Sequence, residues 1–329
     1  MSSDVDLSEE VDQFRADFET LRAEISEVIV GQQRVINDLL IAMLAGGHVL
    51  LEGVPGLGKT LLGRTLAESL DLTFRRIQFT PDLMPADVVG TYVVMEAHGQ
   101  RKFEFNQGPI FANVVLADQI NRATPKTQAA LLEGMSENGV TVANETYPLP
   151  DPFFLVATQN PLEMEGTFPL PEAQLDRFMF KLMVPLPNLG EMEAILARTT
   201  EEGLPEVRRV LKGRRILEMA DLARLVPTGS EVLHYASALM IATHPDQSSA
   251  PEMTRQYVRY GVGPRAAQSL VLASKVRALL SGRVNTSQDD VRSVAHAALR
   301  HRLILNFDGH ADNINPDAII DDILGSVGE

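Results

Sequence analysis

Cysteine is absent from the 329 residues, which excludes disulfide scaffolds, zinc-thiolate sites, iron-sulfur clusters and cysteine nucleophiles together. Basic charge is scarce: 29 Lys and Arg stand against 44 Asp and Glu, a formal net charge of −15. Affinity for duplex nucleic acid comes largely from Lys and Arg releasing counterions from phosphates, so general nucleic-acid binding is not expected. Long apolar runs are missing as well. No segment approaches the roughly 18 apolar residues of a membrane span, and the acidic start, Met1 to Glu10, lacks the basic end and apolar stretch of a secretory signal. The expectation is a cytoplasmic protein without membrane insertion. No fixed-period repeat and no low-complexity tract is present, and the histidines are scattered without ligand-like spacing. What is present is an ordinary globular balance, 45% hydrophobic and 22% charged, sufficient for a sizeable core. The length suggests about two domains.

Apolar residues recur in steps of three and four at Val11, Phe14, Phe18, Leu21, Ile25 and Val28, which predicts an amphipathic helix over Leu7 to Val28. A second helix carries Val35, Ile36, Leu39, Leu40 and Met43 and ends at Gly46-Gly47. The pattern then changes to short apolar runs alternating with helical stretches: His48 to Leu51, Phe74 to Phe79, Val114 to Ala117, Phe153 to Ala157 and Phe178 to Val184. That alternation predicts an α/β domain with a parallel sheet covered on both faces. Two stretches read as inserted hairpins: Thr91–Met95 with Lys102–Phe105 around His98-Gly99-Gln100, and Val140–Val142 with Thr146–Tyr147. After Pro185 to Gly190 the chain reads helical through Val232–Met240, Ala266–Leu280 and Val291–Leu299, with an N-cap composition at Thr286 to Asp290. A domain boundary is placed near residue 188.

The segment Gly53-Val-Pro-Gly-Leu-Gly58-Lys59-Thr60 matches G-x-x-x-x-G-K-[ST] with an apolar strand before it and a helical pattern after it, the context that confirms a phosphate loop. Glycines let the backbone wrap close to phosphate, and the loop amides and helix N-terminus offer positive partial charge. Lys59 is expected to reach the β and γ phosphates of ATP, and the Thr60 hydroxyl to ligate Mg2+. The run Val114-Val-Leu-Ala-Asp118 delivers a carboxylate at the C-terminal end of a strand, where ligands sit in open α/β sheets. Asp118 therefore fits the second metal-holding position.

Five segments together resemble the MoxR group of AAA+ ATPases: Leu51 to Thr60, Leu116-Ala-Asp-Gln-Ile-Asn-Arg-Ala123, Ala157-Thr-Gln-Asn-Pro161, Leu170 to Phe178, and Gly263-Pro-Arg-Ala266. The resemblance runs from Val30-Gly-Gln32 to His301-Arg-Leu303. It implies a P-loop AAA+ core over residues 1–187 with a parallel sheet, N-terminal helices and hairpin inserts, and an all-α lid over 188–329. It also implies rings, commonly hexameric, that bind ATP between subunits. The nucleotide would lie against Val30, Gly31, Gly53, Pro55, Gly56, Leu57, Gly58, Lys59, Thr60 and Leu61, with Mg2+ on Thr60 and Asp118. Asn160 matches the sensor 1 position, Arg177 an arginine finger offered to the neighbouring subunit, and Arg265 the sensor 2 of a lid that closes onto its own core. The hairpin from Tyr92 to Phe105 corresponds to an insert that faces the ring pore in relatives. Read from the residues alone, Arg177 and Arg265 are also compatible with ordinary ion pairs, Asn160 with a turn residue before Pro161, and the hairpin with structural decoration.

One position departs from the family pattern. Gln119 stands where a glutamate follows the metal-holding aspartate. A carboxylate there accepts a proton from the attacking water, which glutamine cannot do. ATP and Mg2+ are expected to bind while hydrolysis is greatly slowed. The other parts, Lys59, Thr60, Asp118, Asn160, Arg177 and Arg265, are all present. Their survival favours a deliberate change locking an active ATPase over a natural subunit that has lost hydrolysis. By resemblance the activity is chaperone-like remodelling that assists maturation or metal-cofactor insertion in partner complexes, often with a von Willebrand factor A domain protein. The alternatives are a nucleic-acid motor, against which the net charge argues, and an ATP-gated scaffold that never hydrolyses.

Overall fold

The short apolar runs fold as one parallel sheet. In the computed structural model, which describes residues 2–97, 100–161, 166–202 and 205–327, α1 (Ser2–Val28) and α2 (Gln33–Leu44) lead into β1 (Val49–Glu52). Helix α3 (Lys59–Ser69), strand β2 (Phe74–Gln78) and the short α4 (Pro85–Val89) follow. The first insert is β3 (Gly90–Ala97) paired antiparallel with β4 (Gln100–Gln107); residues 98 and 99 of its expected turn lie outside the described residues. Next come β5 (Val114–Asp118), α5 (Pro125–Glu137), and the second insert, β6 (Gly139–Val142) with β7 (Glu145–Pro148). Strand β8 (Phe154–Gln159), α6 (Glu172–Leu175) and β9 (Phe180–Met183) complete the sheet, whose spatial order is β2-β5-β8-β1-β9. All its pairings are parallel, so the C-terminal ends of β1, β5 and β8 share one side, where such sheets bind ligands.

The rest is helical: α7 (Leu189–Ala197), α8 (Gly213–Leu225), α9 (Ser230–Ala242), α10 (Glu252–Tyr257), α11 (Pro264–Leu280), α12 (Gln288–Leu299), α13 (Phe307–Ala311) and α14 (Pro316–Ser326). The expectation of an all-α lid is corrected in one place. After α10 the chain forms β10 (Val258–Tyr260), which pairs antiparallel with β11 (Ile304–Leu305). Three residues are too few for a period-two pattern to register, and the ribbon exists only because Ile304 and Leu305 arrive from a distant part of the chain. Helix α12 starts on the expected cap, with Ser287 as N-cap and the Asp290 carboxylate accepting from the Ser287 N–H at 2.8 Å, and Pro264 opens α11 as its shape favours.

Each face of the sheet has its own core. One cluster joins Phe14, Leu21 and Ile25 of α1 and Leu39 of α2 to Val49 and Val156 of the sheet and on to Leu270, Val291 and Ile320 of the lid helices. The other packs Leu50, Ile77, Val115 and Leu155 against Leu131 and Phe178. Fully burying a side chain of this size contributes about 1.5–3 kcal/mol, so the lid shares the core of the ATPase domain. A polar seam adds to this. Arg302, its side chain only 3% exposed, donates to Asp176 Oδ1 at 2.9 Å and to the carbonyls of Asp176, Phe178 and Met179 at 3.0, 2.9 and 3.2 Å. Arg300 holds Asp317 with two hydrogen bonds at 2.8 and 2.9 Å and caps the outer edge of β9 by donating to the Lys181 carbonyl at 3.0 Å. No helix among the described residues is long and apolar enough to cross a membrane.

Candidate nucleotide site

The loop from Gly53 to Gly58 leaves the C-terminal end of β1 and turns into α3 at Gly58, whose φ of 76° is left-handed and suits glycine. Lys59, the first helical residue, curls back: its ammonium donates to the carbonyls of Gly53 and Val54, both at 2.7 Å. Burial pulls the Lys59 pKa below the usual lysine range, and the Asp118 charge works in the other direction. The loop is also held from outside, since the Gln32 side chain donates to the Leu57 carbonyl at 3.1 Å. A cradle of backbone amides with one lysine at its base is what a triphosphate needs.

Beside this loop lies a cavity of about 400 Å³ whose lining includes Gly56, Lys59 and Thr60, and across from them Asp118, Gln119 and Asn160. The structure therefore brings together the predicted phosphate, metal and sensor 1 residues. Asp118 is fixed at both oxygens: Oδ1 accepts from the Thr158 hydroxyl at 2.7 Å, and Oδ2 accepts from Arg76 Nε at 2.9 Å and Nη2 at 2.6 Å. Gln119 adopts a left-handed backbone, φ 58° and ψ 53°. Its N–H donates to Thr158 Oγ1 at 2.9 Å and its Oε1 accepts from Gln78 Nε2 at 3.0 Å. One hydroxyl and one carboxylate facing the same phosphate cavity fit Mg2+, which uses one or two protein oxygens and completes its shell with phosphate and water. Among the described residues no cluster of three or more His, Cys, Asp or Glu could hold a metal by itself.

A second cavity of about 310 Å³ opens on the other side of the same loop. It is lined by Val28, Ile29 and Val30 from the end of α1, Leu57 and Leu61 from the loop and α3, and Leu186, Met192 and Ile195 from the start of the lid. Gly56, Leu57, Gly58 and Leu61 border both cavities. An apolar slot joined to a phosphate cradle matches a purine base followed by its phosphates. Gly31, φ 68°, stands next to Val30 against Glu191 of α7, where a Cβ would meet Glu191 Oε1 at 2.2 Å.

Arg177 and Arg265 are placed elsewhere. Neither lines either cavity. Val49 of β1 pairs with Phe180 of β9, so Arg177, three residues before β9, lies at the N-terminal edge of the sheet, opposite the phosphate loop. The four residues of β1 set that separation at about 13 Å. Arg177 donates to the Leu132 carbonyl at 2.9 Å and to Ser136 Oγ near the end of α5. Arg265 stands 3.7 Å from Asp176, the neighbour of Arg177, with its side chain half exposed. In this structure Arg265 does not reach the phosphate cavity of its own chain. The two arginines belong to one face, and that face points away from the loop of the same chain.

Sequence reasoning missed Gln32, Arg76, Gln78, Thr158 and the apolar lid residues of the second cavity. A signal existed for two of them. Phe74-Arg-Arg-Ile-Gln78 is a strand with charges where a doubly covered sheet calls for apolar residues, and Arg76 and Gln78 alternate onto the cavity face. Thr158 sits inside a motif segment, but only the pairing of β5 with β8 aims its hydroxyl at Asp118.

Comparison with known proteins agrees with this geometry. Residues 48–180 match the ATPase family associated with various cellular activities (AAA), and residues 251–323 match the AAA lid domain. The fold and the loop thus define an AAA ATPase. The chain is 40% identical over 304 residues to Chaperone MoxR1 of Mycobacterium tuberculosis, covering 92% of this chain and 80% of that protein. It is 32% identical over 314 residues to Protein MoxR of Methylorubrum extorquens, covering 90% of each. A crystal structure from Cytophaga hutchinsonii superposes with a TM-score of 0.89 at 39% identity, covering 97% of both chains. The chain belongs to the MoxR family of AAA+ ATPases.

Proposed function

We propose that this chain is a ring-forming, chaperone-like remodeller that binds ATP with Mg2+ and, because of Gln119, hydrolyses it slowly. The observation that carries the reading is the junction of the two cavities on Gly56, Leu57, Gly58 and Leu61, which matches one continuous nucleotide. In this reading the base lies in the apolar slot beside Val30 and Gly31. The phosphates lie on the loop amides with Lys59 turned toward them from its resting carbonyls. Thr60 and Asp118 hold Mg2+, which supplies charge neutralisation for the β and γ phosphates when bound. Asn160 orients the water, and Gln119 holds it by hydrogen bonds without accepting its proton.

Arg177 and Arg265 complete the site of the next subunit. Their position at the sheet edge opposite the loop supports action in trans, in a ring for which a hexamer is the proposed size. Proposed clients are protein complexes undergoing maturation or metal-cofactor insertion, with a von Willebrand factor A domain protein as adaptor, and the proposed compartment is the cytoplasm. Nucleic acid is not the proposed partner. In the basic stretch 208–215, Arg208, Arg209 and Arg215 pair with Glu24, Asp71 and Asp17, which leaves little free charge for phosphate backbones.

Sedimentation of the full chain with and without ATP and Mg2+, beside a Lys59→Ala control, tests the reading. Nucleotide-dependent assembly in the parent and its loss in the control are expected. A parent chain that binds no nucleotide rejects the reading.

A further inference from the structure

Arg76 has no assigned part in the reading above, although it touches the metal-holding carboxylate. It projects from β2, the edge strand of the sheet, and Gln78 pairs in register with Asp118. Arg76 therefore stands on the same strand face as Gln78 and reaches the same cavity. Its side chain is 46% exposed, yet it points at Asp118 rather than into solvent. Two of its nitrogens converge on Asp118 Oδ2, at 2.9 and 2.6 Å, and Nη2 also meets Gln78 Oε1. The other carboxylate oxygen is taken by Thr158. Asp118 is the one acidic residue among those lining this cavity, and Lys59 and Arg76 are its two cations. Lys59 feels the Asp118 charge but donates to the loop carbonyls, so of the two cations Arg76 is the one in hydrogen-bond contact with Asp118.

We propose that Arg76 is a positioning residue for Asp118: it neutralises that carboxylate whenever Mg2+ is absent and thereby sets how strongly nucleotide binding depends on Mg2+. The inference rests on the reading that this cavity holds ATP. A bare carboxylate beside a triphosphate repels it. With Arg76 in place, Asp118 presents little net charge and the phosphates meet a cavity that is positive through Lys59. Once Mg2+ is bound, the metal itself offsets Asp118, so the guanidinium is redundant and must yield Oδ2 to the metal or its water shell. Arg76 therefore matters most in the state without metal.

The test is titration of a fluorescent ATP analogue into the full chain, in EDTA and in saturating Mg2+, for the parent, Arg76→Gln, Asp118→Asn and the double variant. Arg76→Gln is expected to weaken metal-free binding by about tenfold, the scale of one charge-assisted contact. The change in Mg2+ is expected to stay below about threefold, because the metal then carries the compensation. Adding Asp118→Asn to Arg76→Gln is expected to restore metal-free binding, since the repelling charge is gone. Equal losses in both media overturn the proposal by making Arg76 a direct phosphate ligand or a packing residue. No loss in either medium, or a metal-free loss that survives in the double variant, overturns it as well. Should Arg76→Gln fail to fold, Arg76→Lys carries the same comparison with a smaller metal-free loss. A parent chain that binds no analogue in either medium overturns the nucleotide reading, and this inference with it.

Discussion

The side-chain amide of Gln78 donates to Oε1 of Gln119 at 3.0 Å, tying the end of β2 to the residue that follows Asp118. Gln119→Glu keeps that acceptor in place and adds the basicity that glutamine lacks. General-base catalysis contributes about 10²- to 10⁴-fold, so the Gln119→Glu chain is expected to turn over ATP at least about a hundredfold faster. ATP affinity is expected to change little. Phosphate release measured on both proteins decides the matter, and equal rates reject Gln119 as the lesion.

The placement of Arg177 opposite the loop predicts complementation between two inactive chains. In the Gln119→Glu background, Lys59→Ala and Arg177→Ala chains are each expected to lose nearly all turnover; arginine fingers elsewhere supply about 10³- to 10⁵-fold. Mixed before assembly, they regain activity where an intact loop meets an intact arginine, roughly a quarter of interfaces by random pairing. Arg265→Ala in place of Arg177→Ala is expected to complement in the same way. A mixture no more active than its parts rejects action in trans.

Gly31 is left-handed and touches Glu191, which is itself engaged: its carboxylate accepts from the Asn188 N–H at 2.8 Å in the cap of α7. Gly31→Ala therefore adds left-handed strain of about 1–2 kcal/mol and displaces the Glu191 carboxylate that caps α7 beside the apolar slot. The expected result is weaker binding of ATP, measured calorimetrically, with inorganic phosphate chemistry at the loop untouched. Unchanged affinity rejects the assignment of this slot to the base.

His48 predicts a pH dependence of stability. Its Nδ1 accepts from the Leu155 N–H at 3.1 Å, so the ring is neutral, and burial pulls its pKa from 6.5 to about 4. The unfolded chain thus takes up this proton near pH 6.5 and the folded chain only near 4. Stability from this group is fully present above 6.5 and falls as pH drops toward 4, by up to about 3 kcal/mol. Asp38 works oppositely: burial raises its pKa from 3.8 to about 6, so its contribution is present below 3.8 and lost as pH rises through 6. Urea unfolding at pH 7.5 and pH 5 is expected to show a loss in the parent that shrinks in His48→Asn. An identical pH dependence in the variant rejects the role.

Features set by neighbours in the chain were legible in the sequence. The phosphate loop needs glycines and a lysine at fixed spacing, and the Ser287 cap needs Asp290 three residues on, so both could be read directly. The core strands were legible because burial on both faces leaves continuous apolar runs, as in Val114 to Ala117. The contacts that tune the site were not legible, because pairing between distant strands creates them. Arg76 meets Asp118 across 42 residues of chain, and Arg302 meets Asp176 across 126. The same limit applies to Arg265, whose contact with Asp176 joins residues far apart in the chain.

The cap that Arg300 places on Lys181 also bears on how the chain can be handled. An uncovered parallel strand is a template for another polypeptide and a route to aggregation. Cutting the chain after residue 187 strips β9 of that guanidinium and bares the lid-facing half of a shared core. The residue where the strands give way to helices is thus a poor place to excise an ATPase domain. Through that hydrogen bond and the shared core, the lid shields the edge of the sheet it covers.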